Sequence, residues 1–239
     1  MLAFDTSTDT LSIAVQRGDA VWQHTGAGGA QASAALIPAI QRLLAEAGLG
    51  FDTLDAIVFG RGPGSFTGLR TACAVAQGLA FGARNGQGTP VLPVDTLLAV
   101  AEEARQQHGC TQVLAVLDAR MNEVYRARCA WSDASQRWQA DADFGLCAPE
   151  ALTLADAALW TVAGNAQAAY GERLLPQARH VAALPTATAL LRLAPALLAA
   201  GAAVPASEAL PRYIRDKVAQ TTAEREALRA QAAAGTTAP

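Results

Sequence analysis

The chain has 239 residues, 51% of them hydrophobic, and a formal net charge of -3; that is enough for one large domain or two small ones with a substantial core. The charge argues against a broad electrostatic footprint for nucleic acid, and no apolar run reaches the length of a membrane span. The start of the chain shows neither the basic region nor the small-residue cleavage site of a secretory signal, so residence in the cytoplasm is expected.

In chain order, MLAFDTS reads as a buried strand closing on the polar turn Asp5–Thr10, LSIAVQRG as an alternating second strand and DAVWQHT as a third. From Ser33 to Ala47 apolar residues recur at helical spacing (Leu36, Ile37, Ile40, Leu43, Leu44), with Ser33 as N-cap and Gly48 as C-cap. LDAIVFG is a short buried strand; the glycine loop GRGPGSFTGLR follows and opens a helix running to about Gly82, capped by Ser65. TPVLPVD is another strand and Thr96 to Gln107 another helix. The pattern then repeats. VLAVLDARMNEVYRARCAW is a strand ending in Asp118, a turn and a strand, echoing LAFDTSTDTLSIAVQ, and LWTVAGNA echoes IVFGRG. Two echoes in the same order point to an internal duplication and a two-lobed α/β architecture with a linker near residues 97–110. Beyond Arg215 the chain turns polar and rich in Ala, Gln and Thr, the composition of a frayed helix and a disordered end.

Few residues carry chemistry in an obvious arrangement. Cys73, Cys110, Cys129 and Cys147 form no CxxC pair and read as free thiols; His24, His108 and His180 have no zinc spacing. Gly60, Gly62 and Gly64 permit close backbone approach, Pro63 stiffens the turn and Ser65 caps the helix, which is equipment suited to an anion. Yet Lys217 is the only lysine, so the lysine of a phosphate-binding GxxxxGK[ST] loop is absent. The loop is either a tight connection or a ligand or partner contact. Asp5 and Asp118 end strands beside turns, where carboxylates handle magnesium in two-lobed nucleotide-binding proteins; the other reading is aspartates that stabilise their own turns. The small residues of helix 66–82 serve either packing within the domain or a partner.

FDTSTDTLSIAV, GRGPGSFTGLRTACAVAQGLAFG, LDARMNEVY and PRYIRD, spread from Leu2 to about Arg215, resemble the TsaB (YeaZ) family of bacterial tRNA threonylcarbamoyladenosine biosynthesis proteins; the glycine-loop motif is the most specific. The resemblance implies an α/β, two-lobed actin-like or sugar-kinase-like (ASKHA) fold with duplicated ribonuclease H-like lobes. It divides the chain into an N-terminal lobe, 1–100, carrying the partner interface, a C-terminal lobe, 101–215, and a partly disordered tail, 216–239. It implies a non-catalytic scaffold and activator of TsaD, joined by the ATPase TsaE, pairing with itself when alone and reaching tRNA only through the complex, with no membrane partner. No catalytic residue, metal or cofactor is implied, and weak nucleotide binding stays open. Ala32 stands where many relatives have a histidine. The interface falls to Leu36, Leu43, Leu69, Arg70, Ala72, Cys73 and Ala76, and Gly60, Gly62, Pro63, Gly64 and Ser65 form a structural loop. The alternative is an active ATPase or kinase of the same superfamily. A protease reading finds no Ser-His-Asp order or zinc pair.

Overall fold

A computed structural model describes residues 1–215 except Asp143 and Ala155, and except the side chains of Ala30 and Asn85. The tail 216–239 lies outside the described residues, so its expected disorder stands as an expectation. In the first lobe, β1 (Leu2–Asp5), β2 (Thr10–Arg17) and β3 (Ala20–Ala27) form an antiparallel meander, α1 (Ala32–Ala47) leads to β4 (Ile57–Gly62), and α2 (Phe66–Gly82) leads to β5 (Val91–Asp95). The strand order is β3-β2-β1-β4-β5, with β4 and β5 parallel to β1. After α3 (Thr96–His108) the same plan recurs in β6 (Gln112–Asp118), β7 (Val124–Ser132), β8 (Arg137–Ala140), β9 (Gly145–Cys147), β10 (Thr161–Gly164), α4 (Ala166–Tyr170) and β11 (Arg179–Ala182). The second sheet is ordered β8-β7-β6-β10-β11, with β9 on β7, so the duplication read from the sequence is a duplication of topology. The glycine echo is out of step: Gly164 lies opposite Val116, two residues short of Asp118, whereas Phe59 pairs with Phe4, putting Gly60 beside Asp5.

The inner strands β1, β2, β4, β6 and β10 are buried on both faces, and alternation divides their side chains between two cores. Leu2, Phe4, Ile57 and Phe59 pack under α1 and α2, while Ala3, Ala14 and Val58 meet α5 (Ala187–Ala199) on the other face. In the second sheet Val113, Ala115 and Leu117 pack on α3, and Leu114 and Val116 pack towards Leu152 and Leu174. The layers are therefore α1 and α2, first sheet, α3 and α5, second sheet, α4. No element was expected over α5. Its packing belongs to the first sheet, although the chain division above assigns it to residues 101–215, and the linker expected near 97–110 is the helix α3. The caps are also partly different. Gly48 closes α1 at φ 63 as expected, but a 3-10 turn at Gly29–Gln31 runs straight into α1 and puts Gln31, not Ser33, at its N-cap. Ser65 does cap α2, its hydroxyl accepting from the Gly68 amide.

Candidate functional site

Two turns face each other across the cleft between the lobes. After β1, Asp5 Oδ1 accepts hydrogen bonds from the Ser7 amide at 2.8 Å and the Ser7 hydroxyl at 2.6 Å. After β6, Asp118 Oδ1 accepts from the Arg120 amide at 2.8 Å. In both, an aspartate holds the amide two residues on, which is the turn-stabilising reading. Their surroundings differ. Asp5 is fully buried, and its Oδ2 has no hydrogen-bond partner; burial pushes its carboxyl up to about 6, against the Ser7 hydrogen bonds. Asp118 borders the cleft, with Oδ1 also accepting from the Tyr170 hydroxyl at 2.8 Å and its amide donating to Asn165 Oδ1 at 2.8 Å. Burial, with the neighbouring Asp118, pushes Tyr170 up to about 12. The exposed Arg120 guanidinium reaches Asp9 at 2.6 Å and Asp118 at 3.2 Å, touching both turns.

The glycine loop is filled by the chain itself. Ser65 N donates to Ser7 O at 2.7 Å, and the Thr6 hydroxyl donates to Gly68 O at 2.7 Å. A Cβ on Gly60 would lie 1.7 Å from Asp5 Oδ2, on Gly64 2.5 Å from Ser7 O and on Gly68 1.8 Å from Thr6 O. The glycines thus let strand, loop and helix close over the first aspartate turn. Gly62, at φ 118, would meet Arg212 O at 2.6 Å. Arg61 forks onto Asp95 at 2.7 and 3.0 Å, and Arg212 N returns to Arg61 O at 2.7 Å. The PRYIR segment therefore straps the loop from outside. Tyr213 stacks near Phe66 and accepts from Arg70, while Arg215 donates to Ala119 O and Glu123 on the second lobe. Between strap and turns lies a cleft of about 270 Å³ lined by Ser7, Ser65, Asp118, Arg120, Arg212 and Arg215, among others. Tyr170, Asn165 and Arg215 were not foreseen as site residues; only the PRYIRD segment carried a signal for the last.

The expected interface residues need correction. Leu36, Leu43, Leu69, Ala72, Cys73 and Ala76 are buried in the chain's own first lobe, and Cys73 Sγ donates to Ala209 O at 2.9 Å. Helical periodicity marks a buried face without saying what buries it, and here it is the first sheet and the returning strap. Only Arg70 is exposed. The outward faces of the same helices carry other apolar residues: Ile37 is 41% exposed and Phe81 76%, beside exposed Ala34, Pro38, Ala74 and Gly78. All four cysteines are free, and burial pushes Cys129 up to about 12. Among the described residues no three His, Cys, Asp or Glu side chains are grouped to hold a metal ion, and no helix is long and apolar enough to cross a membrane.

Two sheets of one strand order, each ending its central strand in an aspartate turn beside a shared cleft, define a two-lobed protein of the actin-like, sugar-kinase-like (ASKHA) class. The family model for TsaD, tRNA N6-adenosine threonylcarbamoyltransferase, matches residues 27–154. The tRNA threonylcarbamoyladenosine biosynthesis protein TsaB of Escherichia coli is 33% identical over 226 residues, 92% of this chain and 96% of that relative. TsaB of Haemophilus influenzae is 45% identical over 126 residues, 52% of this chain and 51% of its own length, so that match spans about half of each. The solved structure of YeaZ from Pseudomonas aeruginosa aligns with a TM-score of 0.79 and 38% identity over 89% of this chain and 98% of that one. The chain belongs to the TsaB (YeaZ) family.

Proposed function

We propose that this chain serves tRNA threonylcarbamoyladenosine biosynthesis as a non-catalytic partner of TsaD, a scaffold and activator docking through the outer faces of α1 and α2. The observation that carries the reading is the exposed apolar surface there, Phe81 at 76% and Ile37 at 41%, on helices whose inner faces are already satisfied by the core. Large apolar side chains held out to solvent on two helix faces that the core does not use support a contact with a partner. The same face pairs two copies when TsaD is absent, TsaE joins the assembled pair, and tRNA is reached through the complex. The non-catalytic part is supported by Asp5, sealed beneath Gly60 where no phosphate or metal ion approaches it, and by Arg120 spanning both turns. No cofactor is needed for this role.

Co-purification with TsaD, with and without TsaE, tests the partner role. Phe81→Asp and Ile37→Glu should each abolish capture and self-association, because an unpaired charge enters an apolar contact, while circular dichroism and Tm stay those of the wild type. A folded double variant that binds TsaD with wild-type affinity places the interface elsewhere. Purified chain should show no multiple-turnover ATP hydrolysis; turnover abolished by Asp5→Ala would favour the ATPase alternative.

A further inference from the structure

We infer that a second groove between the lobes, on the side of β2 and β11, binds an uncharged planar molecule of the nucleoside class. The inference does not rest on the proposed partner role. The groove has a volume of about 670 Å³, within the range of small-molecule sites. One wall is apolar, running from Val181 to Pro185, with Ala168 beside it. Thr25 and Gln167 add polar groups that hydrogen-bond to nothing in the described protein, and Asn165, whose Oδ1 is taken by the Asp118 amide, keeps its Nδ2 donor free.

The lining selects by charge and by shape. Among the described residues no arginine or lysine lines the groove, and its one imidazole, His180, is held through Nε2 on Leu175 O at 3.0 Å, so an anion finds no permanent cation there. Its one carboxylate, Glu103, already accepts from Gln107, Thr186 and Arg192, so a cation finds no unsatisfied partner either. An apolar chain would leave the two amides unpaired, which is costly. A sugar alone would turn hydroxyl groups on most of its surface towards the apolar wall from Val181 to Pro185, leaving them unpaired there. A nucleobase meets the whole set: an apolar face for the wall and an edge of alternating donors and acceptors for Gln167, Asn165 and Thr25. A nucleoside fits where its triphosphate does not.

The test titrates the full chain with adenosine and with ATP, by calorimetry and saturation-transfer NMR. Adenosine should bind, and ATP at least about tenfold more weakly, about 1.4 kcal/mol. Ala182→Trp, which fills the groove from the exposed end of β11, should weaken adenosine at least about tenfold while preserving the wild-type Tm; Ala168→Trp, exposed on α4, makes the same test if the first variant unfolds. Absence of adenosine binding at about 10 mM, a weaker limit than functional sites need, overturns the inference. So does ATP binding as tightly as adenosine, or a folded tryptophan variant with unchanged adenosine affinity.

Discussion

Asp5 keeps one carboxylate oxygen on Ser7 and the other against Gly60 with no partner. Its folded value of about 6 stands above the ordinary 3.8, so the folded state binds the proton more tightly than the unfolded chain. Stability from this group therefore rises as pH falls through about 6, is complete below about 4, and is lost above. Urea unfolding at pH 5 and pH 8 should show that slope in the wild type, and Asp5→Asn should flatten it; an unchanged slope assigns the dependence to other groups. The glycines argue at the same scale. Alanine at Gly62 or Gly68 must displace backbone, Arg212 O or Thr6 O, and each should cost about 2 kcal/mol or more. Gly78, in the same helix as Gly68, meets nothing within 4 Å, and Gly78→Ala should stabilise by about 0.5–1 kcal/mol through helix propensity alone. Thermal melts of the three variants separate close approach from generic loop flexibility. The run GRGPGS announces that such a constraint exists; that the neighbour is the chain's own first turn, and not a phosphate, lies in residues far away in sequence.

Helices α3 and α5 are joined between the sheets by a buried ionic cluster. Glu102 accepts from both donors of an Arg105 fork, from Arg192 at 3.0 Å and from Trp138 at 3.0 Å; Glu103 accepts from Arg192 at 2.6 Å and from Thr186 at 2.7 Å. Removing one partner strands a carboxylate in low dielectric, so Arg192→Ala should lower the unfolding free energy by about 3 kcal/mol in urea titration. A loss below about 0.5 kcal/mol would mean water reaches the pair. On α2 the two faces answer differently. Ala76→Glu places a charge in the core under the first sheet and should prevent folding, where Phe81→Asp should leave Tm unchanged; circular dichroism of both distinguishes own-core from partner-facing positions. That distinction was half legible. Ile37 lies off the Leu36, Ile40, Leu43 stripe, and an apolar residue off the buried stripe is the available hint.

The two lobes do not divide where the chain does. α5 covers the inner face of the first sheet, Val204 pairs with Val91, and Ala209 enters the core beneath α2. A fragment ending at residue 110 would leave Ala3, Ala14, Val58 and Leu92 without most of their cover, and should not fold cooperatively; a sharp melt and dispersed NMR spectrum for that fragment would contradict this. The return of α5 was illegible because its leucines and alanines spread over more than one face and Pro195 interrupts the pattern, so neither helix ends nor a packing partner stand out. β8, β9 and β11 are only three or four residues long and none is buried, too brief for alternation to register.

By itself the sequence determined what local chemistry dictates: the strand–aspartate–turn–strand unit and its repetition, the amphipathic helices, the αL glycine closing α1, the Ser65 cap and the need for glycines around Pro63. These follow from periodicities and backbone preferences that act within a few residues. Only the tertiary structure decided which apolar residues face the core and which face solvent, that the glycine loop closes over Asp5, that the last helix and the strap return to the first lobe, and that two grooves of different charge open between the lobes. Those depend on contacts between residues up to about 175 positions apart, such as the bond from Ala187 N to Ser12 Oγ, and no local pattern encodes which distant surface will arrive.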